Sequence, residues 1–250
     1  MKCSINRVMK TPIEFEWGKK TYVMGVINMT PDSFSGDGLG NNVEVALKHA
    51  LAMQEYGADI IDVGGESTRP AGKAYGEGAV KVSIEEELER IIPVITALNE
   101  EMTIPISIDT YKSEVAKEAI QAGASMVNDV WGLKRDKEIA KIAAQANAPL
   151  ILNHNQEGYE YNNLLEDITK ELQEAIDISL AAGIPPNHII VDPGIGFGKT
   201  TEHNLTIRKE LQTFKTTLPY PVLIGTSRKS FIGQILGDLP VEQRLEGTAA

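Results

Sequence analysis

The 250-residue sequence predicts an α/β protein, a (β/α)8 barrel whose eighth strand and last helix are missing from the chain. Three observations carry that prediction. Seven short apolar runs alternate with helical patterns. The runs are apolar throughout, as strands of a parallel sheet buried on both faces are. Each also stops on a polar residue: Asn28, Asp62, Asp109, Asn128, Asn153, Asp192 and Ser227. In a closed parallel barrel the strand C-termini converge on one face, and that face carries the chemistry. A doubly wound open sheet is the competing architecture, but it uses only the strand ends near its switch point. Seven polar ends favour the ring, although the count falls one strand short of closing it.

The elements follow in order. Ile13 to Val23 alternates around Gly18-Lys19 and reads as a hairpin of two short strands. It makes residues 1–21 an N-terminal cap on a single domain spanning 1–250. The first core strand ends at Asn28, and a loop rich in side-chain oxygens follows: Thr30, Asp32, Ser33, Ser35 and Asp37. Asn41 to Tyr56 has helical periodicity and stops at Gly57. Ala58 to Val63 is a strand that opens into a long Gly-rich loop reaching about Val82. Ser83-Ile-Glu-Glu has the capping-box pattern, with Glu86 placed to reach back to Ser83.

Strands then end at Asp109, Asn128 and Asn153, separated by helices over Ser113–Gln121 and Lys137–Ala146. Asn163 to Ala182 is the longest helix, with Gly183 as its stop. His188 to Val191 leads into Asp192-Pro-Gly-Ile-Gly-Phe-Gly-Lys199, and a helix runs from Glu202 to Phe214. Pro221 to Ile224 is the seventh strand, followed by Ser227-Arg228-Lys229 and short helices from Ser230 and from Val241.

Composition narrows the function. The net charge of −11 argues against nucleic acid as a partner, because phosphate backbones select basic surfaces. No apolar run approaches the roughly 20 residues that span a bilayer. The N-terminus lacks an apolar signal core, so the expected location is the cytoplasm. The lone Cys3 excludes an internal disulfide and a cysteine-rich metal site.

Within the chain, Asp109, Asn128 and Asp192 directly follow buried runs, where each either anchors a loop or meets a ligand. Carboxylates accept hydrogen bonds, whereas an amide both donates and accepts, so the set suits a flat aminopyrimidinone-like ring. Arg69 and the Arg228-Lys229 pair place cations on the same face and point to an anionic group. The glycines at 194, 196 and 198 alternate without the dinucleotide spacing and read as a close backbone approach to a flat ligand. His154 lacks partners at metal-ligand spacing.

Asn28-Met-Thr-Pro-Asp-Ser-Phe-Ser, Asp62-Val-Gly-Gly-Glu-Ser-Thr-Arg-Pro, Ile108-Asp-Thr, Asn128-Asp, Asp192-Pro-Gly-Ile-Gly-Phe and Thr226-Ser-Arg-Lys-Ser-Phe closely resemble the dihydropteroate synthase family, in the family's order from Val23 to Ala250. The resemblance implies a pterin ring held by Asp109, Asn128, Asp192 and Lys229, with Phe197 and Gly225 nearby. It implies Asn28 on Mg2+ and the diphosphate, and a p-aminobenzoate site using Phe34, Thr68, Arg69, Pro70 and Ser230. Asp109, Asp192, Lys229 and Asn28 are then the catalytic set. The implied reaction joins 6-hydroxymethyl-7,8-dihydropterin diphosphate to p-aminobenzoate, releasing pyrophosphate and 7,8-dihydropteroate. The family also implies a homodimer.

Three features depart from the family pattern. The loop Asp is displaced by one residue in Ser35-Gly36-Asp37-Gly38. Asn153 stands where the family has a methionine that packs on the pterin. The chain ends before the eighth strand with its Arg-x-His pair, which leaves the anion site incomplete. Two alternatives therefore stay open at this point: a pterin-binding protein without full activity, and a Schiff-base aldolase using Lys229.

Overall fold

A computed structural model describes residues 15–30, 42–67 and 81–250. Six strands form one sheet in the order β1-β2-β3-β4-β5-β6, every neighbouring pair parallel. They are β1 Met24–Asn28, β2 Ile60–Gly64, β3 Ile106–Asp109, β4 Met126–Asp129, β5 Leu150–Asn153 and β6 Ile189–Asp192. The helices between them are α1 Val43–Glu55, α2 Ile84–Glu101, α3 Ser113–Ala122, α4 Glu138–Gln145 and α5 Leu164–Ala181. Strand order identical to chain order is the signature of a sheet curling into a barrel. Among the described residues the ring is not closed.

The expected seventh strand, Pro221 to Ile224, shrinks to one bridge between Val222 and Val191. Val191 N–H donates to the Pro221 carbonyl at 2.9 Å, and Leu223 N–H donates to the Val191 carbonyl at 2.9 Å. The next rung needs an N–H from residue 193, which is proline, so the ladder stops there.

Two other expectations change. Residues 15–23 contain a turn, with Gly18 at φ 85°, but no strand; Ile13 and Glu14 lie outside the described residues. The Glu16 N–H donates to the Tyr22 hydroxyl at 2.7 Å instead of entering a ladder. Phe15 stacks on Trp17 at 4.6 Å, and Tyr22 meets both edge-on. The helix expected over Glu202 to Phe214 is two, α6 Thr201–Lys209 and α7 Leu211–Thr217; no Gly or Pro marks the break. The chain continues through α8 Ser230–Ile235 to α9 Leu245–Ala249.

Helix starts follow their sequence signals. Asn42, Ser83 and Asn163 each accept a backbone N–H three residues on. The Ser83 cap is not a capping box, however: the Glu86 carboxylate pairs with Arg90 one turn along. A charged partner at i+4 outcompetes a single backbone N–H. Arg90 then donates to the Gly65 carbonyl at 2.7 Å, fixing the backbone just beyond β2.

Strands β2 to β6 bury both faces in two separate cores, whereas Val26 of β1 is 47% exposed. Residues such as Ile61, Val63, Val127, Leu152 and Val191 pack under the helices. Ile60, Met126, Ile151 and Ile190 form an inner cluster with Met24, Leu223, Phe15 and Trp17. Successive strand side chains alternate faces, so the residue two positions after each inner one also points inward. Those residues are Asp62, Asn128, Asn153 and Asp192.

Candidate active site

The polar layer sits at the strand C-termini, directly above the inner apolar layer. Asn28 ends β1 and Asp109 ends β3, so six of the seven expected polar ends lie in this layer, whereas Ser227 falls in the turn before α8. Asn128 donates from Nδ2 to Asp62 Oδ2 at 2.9 Å. Asn153 donates from Nδ2 to Asp192 Oδ2 at 3.3 Å, while Asp192 Oδ1 accepts the Gly194 N–H at 2.7 Å. Both amides thus spend their donor ends on carboxylates. Asp109 Oδ1, Asn128 Oδ1 and Asn153 Oδ1 stay buried without a hydrogen-bond partner among the described residues, whereas Asp62 Oδ1 has the equally buried hydroxyl of its register partner Ser107 beside it. The first three are acceptors when the carboxylate is ionised. An unmade buried hydrogen bond costs roughly 1–3 kcal/mol, so such a cluster suits a ligand carrying several N–H donors.

Burial pushes Asp62, Asp109 and Asp192 above the ordinary carboxylate range. Asp109 rises furthest, because the Asp62 charge adds to its desolvation. A nearby positive charge favours the ionised form of such groups. Asp192 has one in Lys229, which opposes the effect of burial.

Lys229, the N-cap of α8, is itself desolvated, which pulls its ammonium down to about 8 against the pull of Asp192. Its Nζ contacts the Ile195 carbonyl and lies 4.3 Å from the centre of the Phe197 ring. A side chain on Gly225 would point toward the same Nζ. Asp192, Phe197, Gly225 and Lys229 therefore converge, with Ser230 opening the adjoining helix. Gly194 and Gly196 have φ of 74° and 84°. A Cβ on Gly194 would stand 1.8 Å from the His154 carbonyl, and one on Gly196 would stand 2.8 Å from Lys229 Cδ. Only glycine lets this loop run over the rim.

Asp129 shows the other use of a strand-end carboxylate. It accepts the backbone N–H of Trp131 at 2.9 Å and of Leu133 at 2.7 Å, anchoring a loop, and burial still raises it to about 6. Phe34, Thr68, Arg69 and Pro70 lie outside the described residues, as does most of the oxygen-rich loop after Thr30.

Sequence reasoning left several rim contacts unread. Asp62 and Asn153 were legible as strand ends but not as partners of Asn128 and Asp192. Lys199 gave no signal beyond closing a Gly-rich run. Its Nζ lies 2.9 Å from His154 Nδ1 and donates to the Phe197 carbonyl at 2.9 Å. Burial lowers Lys199 to about 7 and His154 to about 4. His154 Nε2 sits 2.8 Å from a Glu171 carboxylate oxygen. An open cavity of about 460 Å³ beside this chain is lined by Glu160, Asp167, Glu171, Glu174 and Lys170. Its acidic wall suits an anionic substrate far less than the rim beside Lys229.

These features define a barrel-type parallel α/β protein whose C-terminal rim gathers buried acceptors beside a desolvated lysine. A family model described as pterin binding enzyme matches residues 24–250. The dihydropteroate synthase of Clostridium beijerinckii is 54% identical over 237 residues, covering 95% of this chain and 85% of that protein. The crystal structure of dihydropteroate synthase from Clostridium difficile in the presence of pteroic acid superposes with a TM-score of 0.85 at 47% identity, covering 94% of this chain and 86% of that one. Xanthomonas albilineans dihydropteroate synthase with 4-aminobenzoic acid gives a TM-score of 0.83 at 40% identity, covering 92% and 81%. The chain belongs to the dihydropteroate synthase family of pterin-binding enzymes.

Proposed function

We propose that this protein condenses 6-hydroxymethyl-7,8-dihydropterin diphosphate with p-aminobenzoate to give 7,8-dihydropteroate and pyrophosphate. The observation that carries this reading is the cluster of acceptors at the rim beside Lys229 that have no partner among the described residues. The ring N–H groups and exocyclic amine of a pterin satisfy acceptors of this kind, and an ammonium suits the ring's oxo group. Relatives whose structures hold pteroic acid and 4-aminobenzoic acid support the same substrates.

In the reaction the methylene C–O bond breaks and its electron pair leaves with pyrophosphate. The amine lone pair of p-aminobenzoate forms the new C–N bond, and the amine nitrogen then loses a proton. Positive charge develops on the methylene and spreads into the ring. Asp109 and Asp192 hold the ring and favour that charge, because ionised carboxylates in a desolvated site stabilise a cation far more than water does. Among the described residues Ser230 is the one assigned to p-aminobenzoate; Phe34, Thr68, Arg69 and Pro70 complete that assignment by resemblance. Asn28 offers an amide carbonyl, a hard oxygen ligand. One such ligand fits Mg2+, which keeps waters and substrate phosphates for the rest of its shell. When bound, Mg2+ supplies charge neutralisation for the leaving diphosphate.

Organisation as one pterin-binding domain over 1–250, assembly as a homodimer and action in the cytoplasm belong to the same proposal and rest on the resemblance. The test is direct. The purified protein with both substrates and Mg2+ is expected to release pyrophosphate and dihydropteroate in equal amounts. Pterin binding without either product would overturn the synthase reading.

A further inference from the structure

We propose that Asn153 is a positioning and specificity residue for the pterin ring, acting through Asp192 and through its own carbonyl oxygen. The inference rests on the synthase reading above.

Asp192 is the carboxylate at the end of β6, and its two oxygens are fixed from different sides. Oδ1 takes the Gly194 N–H at 2.7 Å, and Oδ2 takes the Asn153 amide at 3.3 Å. The two side chains belong to paired residues of adjacent strands, since Asn153 and Asp192 are register partners in the β5–β6 ladder. Register therefore places the amide directly beside the carboxylate. An ionised carboxylate accepts only, so the Asn153 amide must turn its NH2 toward Asp192 and its carbonyl away. That carbonyl oxygen is buried and has no partner among the described residues.

The residue is 4% exposed, at a strand end where its side chain meets Asp192 and the Gly194 backbone. An apolar residue would meet no polar group there at lower desolvation cost. The amide performs two functions that such a residue cannot. It holds Asp192 in one rotamer, and it leaves an acceptor for a ring N–H. The Asn128–Asp62 pair repeats the arrangement across the pocket: amide donor to carboxylate, carbonyl oxygen left over. The pocket is therefore selective for ring edges that donate, and Asn153 extends that selectivity to the β5 side.

Two variants test this, with the melting midpoint followed alongside. Asn153→Leu removes donor and acceptor while keeping the branching of the side chain. Asn153→Asp keeps an acceptor but loses the N–H and sets a carboxylate against Asp192. Both are expected to weaken pteroic acid binding and raise KM for the pterin diphosphate by roughly tenfold, the scale of one hydrogen bond to a charged group. KM for p-aminobenzoate is expected to stay within about twofold, a split that general loss of structure does not produce. Wild-type affinity in Asn153→Leu would overturn the proposal. Wild-type affinity in Asn153→Asp would overturn positioning through the amide, and if Asn153→Leu does not fold, Asn153→Asp decides alone. A wild-type protein that binds no pteroic acid would overturn the synthase reading itself, a result distinct from either variant outcome.

Discussion

Ile60 and Asp62 lie two residues apart on β2 and face the same interior, as do Met126 and Asn128, Ile151 and Asn153, and Ile190 and Asp192. The lower member of each pair joins an apolar cluster closed by Phe15 and Trp17. The upper member carries a buried polar group, and the carbonyl oxygens of Asn128 and Asn153 have no partner among the described residues. One end of the barrel interior thus minimises its own free energy, whereas the other keeps polar groups desolvated and incompletely satisfied. Desolvated, unpaired polar groups are unfavourable in the empty protein, and a matching ligand relieves them. The contrast separates residues kept for stability from residues kept for binding, within a distance of two positions on one strand.

Truncating the lower layer is expected to give the largest effect. Ile151→Ala should lower unfolding free energy by about 2–5 kcal/mol, the usual cost of a buried aliphatic cavity. Its folded fraction should bind pteroic acid as the wild type does. Chemical denaturation and calorimetry measure the two quantities, and a large loss of affinity with stability intact would break the division between the layers.

The upper layer should respond in the opposite sense. Asp109→Ala and Asp192→Ala are each expected to weaken pterin binding by about 1.5–3 kcal/mol, the worth of a hydrogen bond to a charged group. Binding of p-aminobenzoate should change less. Unchanged pterin affinity in both variants would remove these carboxylates from the site.

Acid sharpens the comparison, because the rim and its neighbour His154 respond with opposite signs. His154 is held neutral, at about 4 against an ordinary 6.5. Its contribution is present above pH 6.5 and lost as pH falls toward 4. Asp109 is raised, chiefly by burial, so its protonated form is the one favoured by folding. Its contribution is present in acid and lost as pH rises through its folded-state value. Asp109→Asn should therefore stabilise the protein more at pH 8 than at pH 5. Thermal midpoints of variant and wild type across that range give the answer, and an advantage that shrinks with rising pH would contradict the assigned sign.

The smallest effect is expected away from both layers. Ser83 caps α2 by accepting the Glu86 N–H at 3.2 Å. Ser83→Ala should cost about 1 kcal/mol of stability. Pterin affinity should not move, and a shift there would show that the start of α2 belongs to the binding machinery.

The sequence by itself determined the α/β class, the parallel strands, most helix boundaries, and the rim positions of Asp109, Asn128, Asp192 and Lys229. Each of these depends on local patterning: apolar runs of strand length, caps such as Ser83 and Asn163, and polar residues where a run stops. Motif order added the family. The tertiary structure alone decided which rim groups pair. Asn128 meets Asp62 across 66 positions of chain, and Asn153 meets Asp192 across 39. It also reduced the seventh strand to a bridge, drew Lys199 against His154, and replaced an N-terminal hairpin with an aromatic plug. Such outcomes depend on strand register and on competition between partners brought together only by folding. A pattern of residue types records where a side chain is buried, but not which distant group will satisfy it.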